Sequence, residues 1–177
     1  ASLLFPNTSF SKKWKKRGYK ALNRALRGQF SADGVNFESS INYHRFVFEL
    51  LIFLLAALYK QNKKVDSFIE EKIIKIGNSL IQLTHSNNLI SRFGDSDGGK
   101  FLPDFNSIVD FNNMGYMSWF TSLRNQQFLE TILFDGIPQF SQLLNNKKQN
   151  GVIGGYISFK HNNISLIISA NKIGTKG

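Results

Sequence analysis

Chemically useful side chains gather immediately ahead of the most apolar stretch of the sequence. The cluster comprises Asp33, Glu38, Ser39, Ser40, Asn42, Tyr43, His44 and Arg45. If a helix starts here, its first turn carries a partial positive potential that favours anions. Burying such groups without a partner costs about 1–3 kcal/mol each, so they must face each other or a cleft. Two interpretations stay open, namely capping with satisfied buried polar groups, or a cluster that faces a ligand.

The spacing of these residues predicts how a helix would arrange them. At ~3.6 residues per turn, Glu38, Asn42 and Arg45 fall on one face. Ser40 and His44 form a second pair at i,i+4 beside it. Asn42 and His44 are ~200° apart around the axis, so they cannot share one narrow face.

Several other kinds of chemistry have no support in the sequence. The chain has no cysteine and 3 His, which excludes a disulfide scaffold and a thiolate zinc site and disfavours a site built from several imidazoles. The loop Gly94-Asp95-Ser96-Asp97-Gly98 does not match an EF-hand. Counted from Asp95, the twelfth position of the loop is Asn106, where an EF-hand has glutamate. No nucleophile elbow, P-loop or dinucleotide fingerprint occurs. We therefore expect neither a metal nor a cofactor.

The positive charge of the chain is concentrated in one predicted helix. Of 22 Lys+Arg, eight lie between Ser11 and Ala32 with no acidic residue among them, and the remaining 14 nearly balance the 12 Asp+Glu. Apolar residues at three- and four-residue spacing predict a helix over residues 11–28. The basic side is either a solvated face or a surface for an anionic polymer, whether nucleic acid or acidic polysaccharide.

Further helices are predicted downstream. The stretch from about Glu38 to Tyr59 is apolar around most of its circumference, which is typical of a buried core helix. Its apolar run of 14 residues is short of the ~20 needed to cross a bilayer. Ser67 to Thr84 has an amphipathic pattern, and residues 113–123 and 125–134 fit two more helices. Paired helices are the expected architecture.

The periodicity changes from helical to alternating after Leu144. Residues 145–151 form a polar linker, and residues 155–160 and 164–170 predict a β-hairpin around an Asn-Asn turn. We expect three parts, a helical portion at 1–144, the linker at 145–151, and the start of a β domain at 152–177. A lone hairpin is marginally stable in water, so we expect the chain to be an excerpt of a longer protein.

Two motifs in this order resemble the heparinase II/III-like family of polysaccharide lyases and their relatives. The first runs Asp33-Gly34, then Phe37-Glu38-x-Ser40-x-x-Tyr43-His44, followed by the long apolar helix; the second is Gly94-Asp95-Ser96-Asp97-Gly98-Gly99-Lys100. The resemblance implies a mainly α fold. Its expected parts are the end of an incomplete (α/α) toroid and the first hairpin of an antiparallel β-sandwich.

The resemblance also implies an activity, the β-elimination of a uronate-containing anionic polysaccharide. By this resemblance Asn42 is the carboxylate clamp and His44 a base, an acid or a second clamp. The substrate contacts expected around them are Glu38, Tyr43, Arg45, Arg92, Asp95 and Asp97. Family members carry a catalytic tyrosine near the region matched by Asp95–Lys100, which has none here. The alternative is therefore a non-catalytic module that binds acidic polysaccharide during synthesis or export.

The resemblance further indicates which partners to expect. An anionic polysaccharide is the expected partner, and a periplasmic or extracellular location is favoured. We expect no nucleic acid partner, because the basic stretch lacks interleaved aromatic residues and no reader motif is present. No membrane span is expected either.

Overall fold

A computed structural model describes residues 6–61, 63–85, 90–95, 150–162 and 164–170 of the chain. In chain order they form helices α1 (Ser11–Gly28), α2 (Ile41–Lys60) and α3 (Ser67–Gln82), then strands β1 (Gly151–Ile153), β2 (Tyr156–His161) and β3 (Ile164–Ser169). This plan of helices followed by antiparallel strands confirms the coarse prediction. The helices predicted at 113–123 and 125–134, Asp97, and most of the predicted linker lie outside the described residues.

Helix α2 begins three residues later than predicted, because the chain turns sharply before it. Ser39 has a positive φ of 56°, and the side chain of Asn36 accepts a hydrogen bond from the Glu38 amide at 2.9 Å. The Ser40 hydroxyl then accepts from the Tyr43 amide at 3.2 Å, the contact of an N-cap with its third helical residue. The prediction that Glu38 belongs to the helix is therefore wrong.

The core lies mainly between α2 and α3. One side of α2 presents buried aliphatic and aromatic residues to the apolar face of α3, and fully buried members include Phe48, Ile52, Leu55, Ile69, Ile73 and Ile76. Helix α2 is not buried all round as predicted, since Leu50 and Phe53 are 37% and 39% exposed. Among the described helices none combines the length and apolar character that a membrane span requires.

Helix α3 begins with a strong cap, in keeping with its amphipathic sequence. The carboxylate of Asp66 accepts hydrogen bonds from the Phe68 and Ile69 amides at 3.0 and 3.3 Å. The predicted boundaries, Ser67 to Thr84, agree with the observed helix at its start and within two residues at its end. The cap fixes where α3 begins.

The three strands form one antiparallel sheet in the order β1-β2-β3. The predicted hairpin corresponds to β2 and β3, in which Ser158 pairs with Ile167. Strand β1, which was not predicted, pairs along the other edge of β2. The inner face of the sheet packs on the helices, where the Tyr156 hydroxyl donates to the Ser39 carbonyl at 2.6 Å and Gln82 donates to Ser158 at 3.2 Å.

The opposite face of the sheet is apolar and exposed. We call it the outer sheet face; its residues are Val152, Ile157, Phe159, Ile164, Leu166 and Ile168, which are 42–72% exposed. The strand register aligns them in rows across the sheet, with Val152 beside Ile157 and Phe159 beside Leu166. Such a continuous apolar patch is unusual on a protein surface that faces only water.

Candidate functional site

Gly94 and Asp95, the first two residues of the second motif, meet the first motif at the start of α2. The Ile41 amide donates to the Phe93 carbonyl at 3.1 Å, and the Ser40 hydroxyl donates to the Asp95 carbonyl at 2.7 Å across 55 residues of sequence. Gly94, with a φ of 74°, approaches so closely that an added Cβ would lie 2.8 Å from the Ser40 Cα. The loop at 90–95 is thus held against the helix start through its own backbone carbonyls.

Asn42 is the polar residue at this helix start that most clearly lacks a partner. Its side chain lies in the first turn of α2 and the residue is 4% exposed. The amide nitrogen Nδ2 has no hydrogen-bond partner among the described residues. Leaving a buried donor unsatisfied costs about 1–3 kcal/mol, so this amide is a donor with unused hydrogen-bonding capacity.

Asn42 is the first residue of a buried polar face of α2. Asn42, Arg45 and Glu49 lie within an arc of ~60° at ~3.6 residues per turn, and they are 4%, 0% and 2% exposed. Arg45 and Glu49 form an ion pair one turn apart. Glu38 is exposed and lies outside the helix, so the predicted face of Glu38, Asn42 and Arg45 is wrong at its first member.

Glu49 belongs to this polar face but was not among the site residues predicted from the sequence. It is the only acidic residue within the apolar run, and it follows Arg45 by four residues. That spacing places opposite charges on adjacent turns of a helix and could have identified the pair. The ion pair occupies Arg45, which was predicted to contact substrate.

His44 lies on a different side of α2 and is fully buried. Its Nδ1 accepts from the Asn36 amide at 3.2 Å, and its Nε2 lies 3.0 Å from the Ile76 carbonyl in α3. Because Nδ1 accepts, the neutral ring carries its proton on Nε2 and donates to that carbonyl. The Ser79 hydroxyl lies 3.2 Å from Nε2. His44 therefore joins the turn before α2 to α3.

Burial keeps the His44 ring neutral. Desolvation lowers its pKa from 6.5 to about 4, and the hydrogen bond to the Ile76 carbonyl opposes this shift only in part. A second proton would have to go on Nδ1, where the Asn36 amide already donates. His44 and Asn42 thus lie in different environments, as the ~200° spacing between them requires.

The remaining predicted substrate contacts lie around the helix start or outside the described residues. Tyr43 is half-buried in the first turn of α2, and Arg92 and Asp95 are exposed on the loop that packs beside it. Asp95 contacts the helix start through its backbone carbonyl, which accepts from Ser40. Asp97 is outside the described residues. Within the described ranges no cluster of three or more His, Cys, Asp or Glu could hold a metal ion.

Comparison with known proteins gives one match. The family model described as the heparinase II/III N-terminus matches residues 1–126, which include α1, α2, α3 and the loop at 90–95. No curated protein and no solved structure matches the chain. The matched region contains every predicted site residue.

Proposed function

The chain belongs to the heparinase II/III N-terminal family, which is related to polysaccharide lyases. We propose that it is a polysaccharide lyase-like protein that cleaves a uronate-containing anionic polysaccharide by β-elimination. The proposed substrate site is the start of α2, where Asn42 lies in the first helical turn and Ser40 holds the loop at 90–95. A carboxylate of the polysaccharide is the group that this site receives.

The observation that carries the proposal is the unsatisfied amide of Asn42. Its Nδ2 is buried without an acceptor among the described residues, and the adjacent helix start favours negative charge. A uronate carboxylate supplies both the missing acceptor and the charge. Hydrogen bonds to ionised acceptors are about twice as strong as neutral ones, which suits a clamp that binds carboxylate rather than a neutral sugar hydroxyl.

The chemistry explains why a carboxylate clamp is useful. In β-elimination a base removes the proton on carbon 5, a double bond forms between carbons 4 and 5, and the bond from carbon 4 to the glycosidic oxygen breaks. The leaving oxygen takes up a proton from an acid. A hydrogen bond donated to the uronate carboxylate makes the carbon-5 proton more acidic, because the negative charge that develops on the carboxylate during proton removal is stabilised. We assign this role to Asn42.

His44 receives a different role from its contacts. Its predicted function as base, acid or second clamp stays a prediction, and we propose instead that it acts as a positioning residue. Its ring joins the Asn36 amide to the Ile76 carbonyl, which fixes the turn that leads into α2. Moving this turn would move Ser40 and, with it, the loop at 90–95. Asn42 would then lose its position relative to this loop.

We further propose that the described helices are part of an incomplete (α/α) toroid and that the sheet opens an antiparallel β-sandwich. The exposed apolar character of the outer sheet face supports a second sheet packed upon it. The division into a helical part at 1–144, a linker at 145–151 and a β part from 152 belongs to the same proposal. A shared core between Tyr156 and the helices keeps the two parts in contact.

A non-catalytic acidic-polysaccharide-binding module is the second candidate. The observation in its favour is α1, whose eight basic residues are all exposed, because a cationic surface serves binding without requiring chemistry. The two candidates differ in one product. Elimination leaves a 4,5-unsaturated sugar that absorbs near-ultraviolet light, whereas binding leaves the polysaccharide unchanged.

The experiment measures absorbance and binding on the same samples. The protein in its full natural length is incubated with polygalacturonate, alginate or heparan sulfate, and with carboxyl-reduced polygalacturonate as the polymer without carboxylates. We expect rising absorbance with at least one acidic polymer, its loss in Asn42→Ala, and its retention in Asn23→Ala. Asn23 is a matched control because its amide donates within α1 to the Tyr19 carbonyl.

The outcomes separate the candidates. Binding that depends on Asn42 without any absorbance change favours the non-catalytic module. Equal binding of the acidic and carboxyl-reduced polymers, unaffected by Asn42→Ala, contradicts the carboxylate clamp and with it the proposed site.

A further inference from the structure

Helix α1 presents its positive charges as one stripe. At ~100° per residue, seven of its basic residues fall within an arc of ~140°, which we call the basic stripe: Lys12, Lys13, Lys16, Arg17, Lys20, Arg24 and Arg27. All seven are exposed. From Lys12 to Arg27 the stripe runs ~22 Å along the axis at 1.5 Å per residue, with at least one charge on almost every turn.

The apolar side of α1 is already packed against the rest of the protein. Its apolar side packs into the core, where Leu26 is 1% exposed and Tyr19 and Leu22 are partly buried. The guanidinium of Arg27 lies 3.9 Å from the ring centre of Phe68 in α3, which anchors the C-terminal end. The stripe therefore faces solvent because the helix is docked by its other side.

The basic stripe lacks balancing carboxylates. No acidic residue occurs between Ser11 and Ala32, and in the described part of the chain none of the stripe residues forms an ion pair. Like charges on adjacent turns of a helix repel one another. An anionic partner that binds along the stripe would offset this repulsion.

An exposed aromatic pair lies at the N-terminal end of the stripe. Phe10 and Trp14 are 57% and 40% exposed, and their rings stack with centroids 5.8 Å apart and an interplanar angle of 23°. Viewed along the helix axis, they lie just beyond Arg17, which marks one edge of the stripe. Sugar rings present C–H groups that pack on aromatic faces, so an aromatic platform beside cations suits a charged carbohydrate.

We propose that the basic stripe, with Phe10 and Trp14, is a docking surface for a stretch of acidic polysaccharide outside the site at Asn42. The inference rests on the proposed function, which makes acidic polysaccharide the polyanion to consider. A lipid surface is disfavoured because the apolar side of α1 is used by the core. The stripe adds electrostatic attraction along ~22 Å of polymer, which raises affinity and association rate.

The test compares two triple variants by their affinity for polygalacturonate. Lys16→Ala/Lys20→Ala/Arg24→Ala removes three charges from the stripe. Lys63→Ala/Lys64→Ala/Lys75→Ala removes the same number of exposed charges elsewhere. We expect a loss of affinity of at least tenfold and a shallower salt dependence for the stripe variant alone, because each cation bound to a polyanion releases counterions. Circular dichroism confirms that both variants fold.

A second comparison identifies the polymer class. Trp14→Ala should weaken binding of polygalacturonate severalfold and leave binding of polyphosphate, which has no sugar, unchanged. Phe37→Ala is the control, since Phe37 is 55% exposed and lies beyond the end of α1. The expected result supports sugar stacking at the aromatic pair.

Other results overturn the proposal. Equal affinities of the two triple variants for polygalacturonate refute the stripe, even where Asn42→Ala still abolishes binding and so leaves the proposed function intact. Stripe-dependent binding of single-stranded DNA or of anionic phospholipid vesicles, with none of polygalacturonate, assigns α1 to a different partner.

Discussion

Acidification should weaken the fold through His44, which provides a quantitative test of the turn that positions the site. In the folded chain burial lowers the His44 pKa to about 4, whereas the ordinary value is 6.5. The unfolded chain therefore takes up the proton first as the pH falls. Stability from this residue is fully present above pH 6.5 and is lost between pH 6.5 and about 4.

The magnitude follows from the two pKa values. Their difference, at roughly 1.4 kcal/mol per unit, corresponds to a loss of ~3 kcal/mol in the free energy of unfolding. This loss is a large part of the free energy of unfolding of an ordinary domain, which is roughly 5–15 kcal/mol. Below about pH 4 both states are protonated, and His44 has no further effect.

The assay is urea unfolding followed by tryptophan fluorescence from neutral pH down to about pH 4. Carboxylates titrate in the same window, so the comparison is between the wild type and His44→Gln, which does not titrate. His161→Gln, at an exposed residue, is the matched control and should behave as the wild type. The wild type should lose ~3 kcal/mol more than His44→Gln over this range.

Equal losses in the wild type and His44→Gln would refute the reasoning. If His44→Gln does not fold at neutral pH, the pKa of His44 in the wild type is followed by nuclear magnetic resonance of its ring protons. A value near 6.5 would show that the ring is not held as the contacts with Asn36 and Ile76 require.

Three further predictions concern the stability of the helices that support the site, each measured by denaturant unfolding at neutral pH. Glu49→Ala should destabilise by ~3–5 kcal/mol because it leaves the Arg45 charge buried, whereas Arg45→Met/Glu49→Leu together should cost far less; equal costs would contradict a buried ion pair. Gly34→Ala should destabilise strongly, because φ is +90° and the new Cβ would lie 2.6 Å from the backbone of α3, while Gly18→Ala, with open space in α1, should stabilise by about 0.5–1 kcal/mol. Leu55→Ala should cost ~2–5 kcal/mol as an emptied core position, and an unchanged midpoint would mean that α2 is not central.

The helices and the hairpin were predictable because their signals are local. Apolar residues at three- and four-residue spacing define α1 and α3, and alternation over residues 155–160 defines β2. The start of α2 was misplaced because the turn at Ser39 depends on a positive φ that serine rarely adopts. Strand β1 has only three residues and becomes a strand through pairing with β2, which is not a local property.

The candidate site was predictable only in part, for a related reason. Helical spacing separates Asn42 from His44 by angle, but it does not tell which of the two faces meets α3. The contact between Ser40 and Asp95 spans 55 residues, and only the family resemblance indicated that their two motifs belong together. The ion pair of Arg45 and Glu49 follows from i,i+4 spacing once the helix is known to be buried.

The most direct test of the carboxylate clamp observes the Asn42 side-chain amide itself. Its two proton–nitrogen resonances are assigned by their absence in Asn42→Ala and followed while galacturonate oligosaccharide is added, with the carboxyl-reduced oligosaccharide as the control. We predict a downfield shift of one Nδ2 proton with the acidic oligosaccharide alone, because this amide, which has no partner among the described residues, gains a charged acceptor. Unchanged Asn42 resonances, while other residues respond to the bound sugar, would contradict the account.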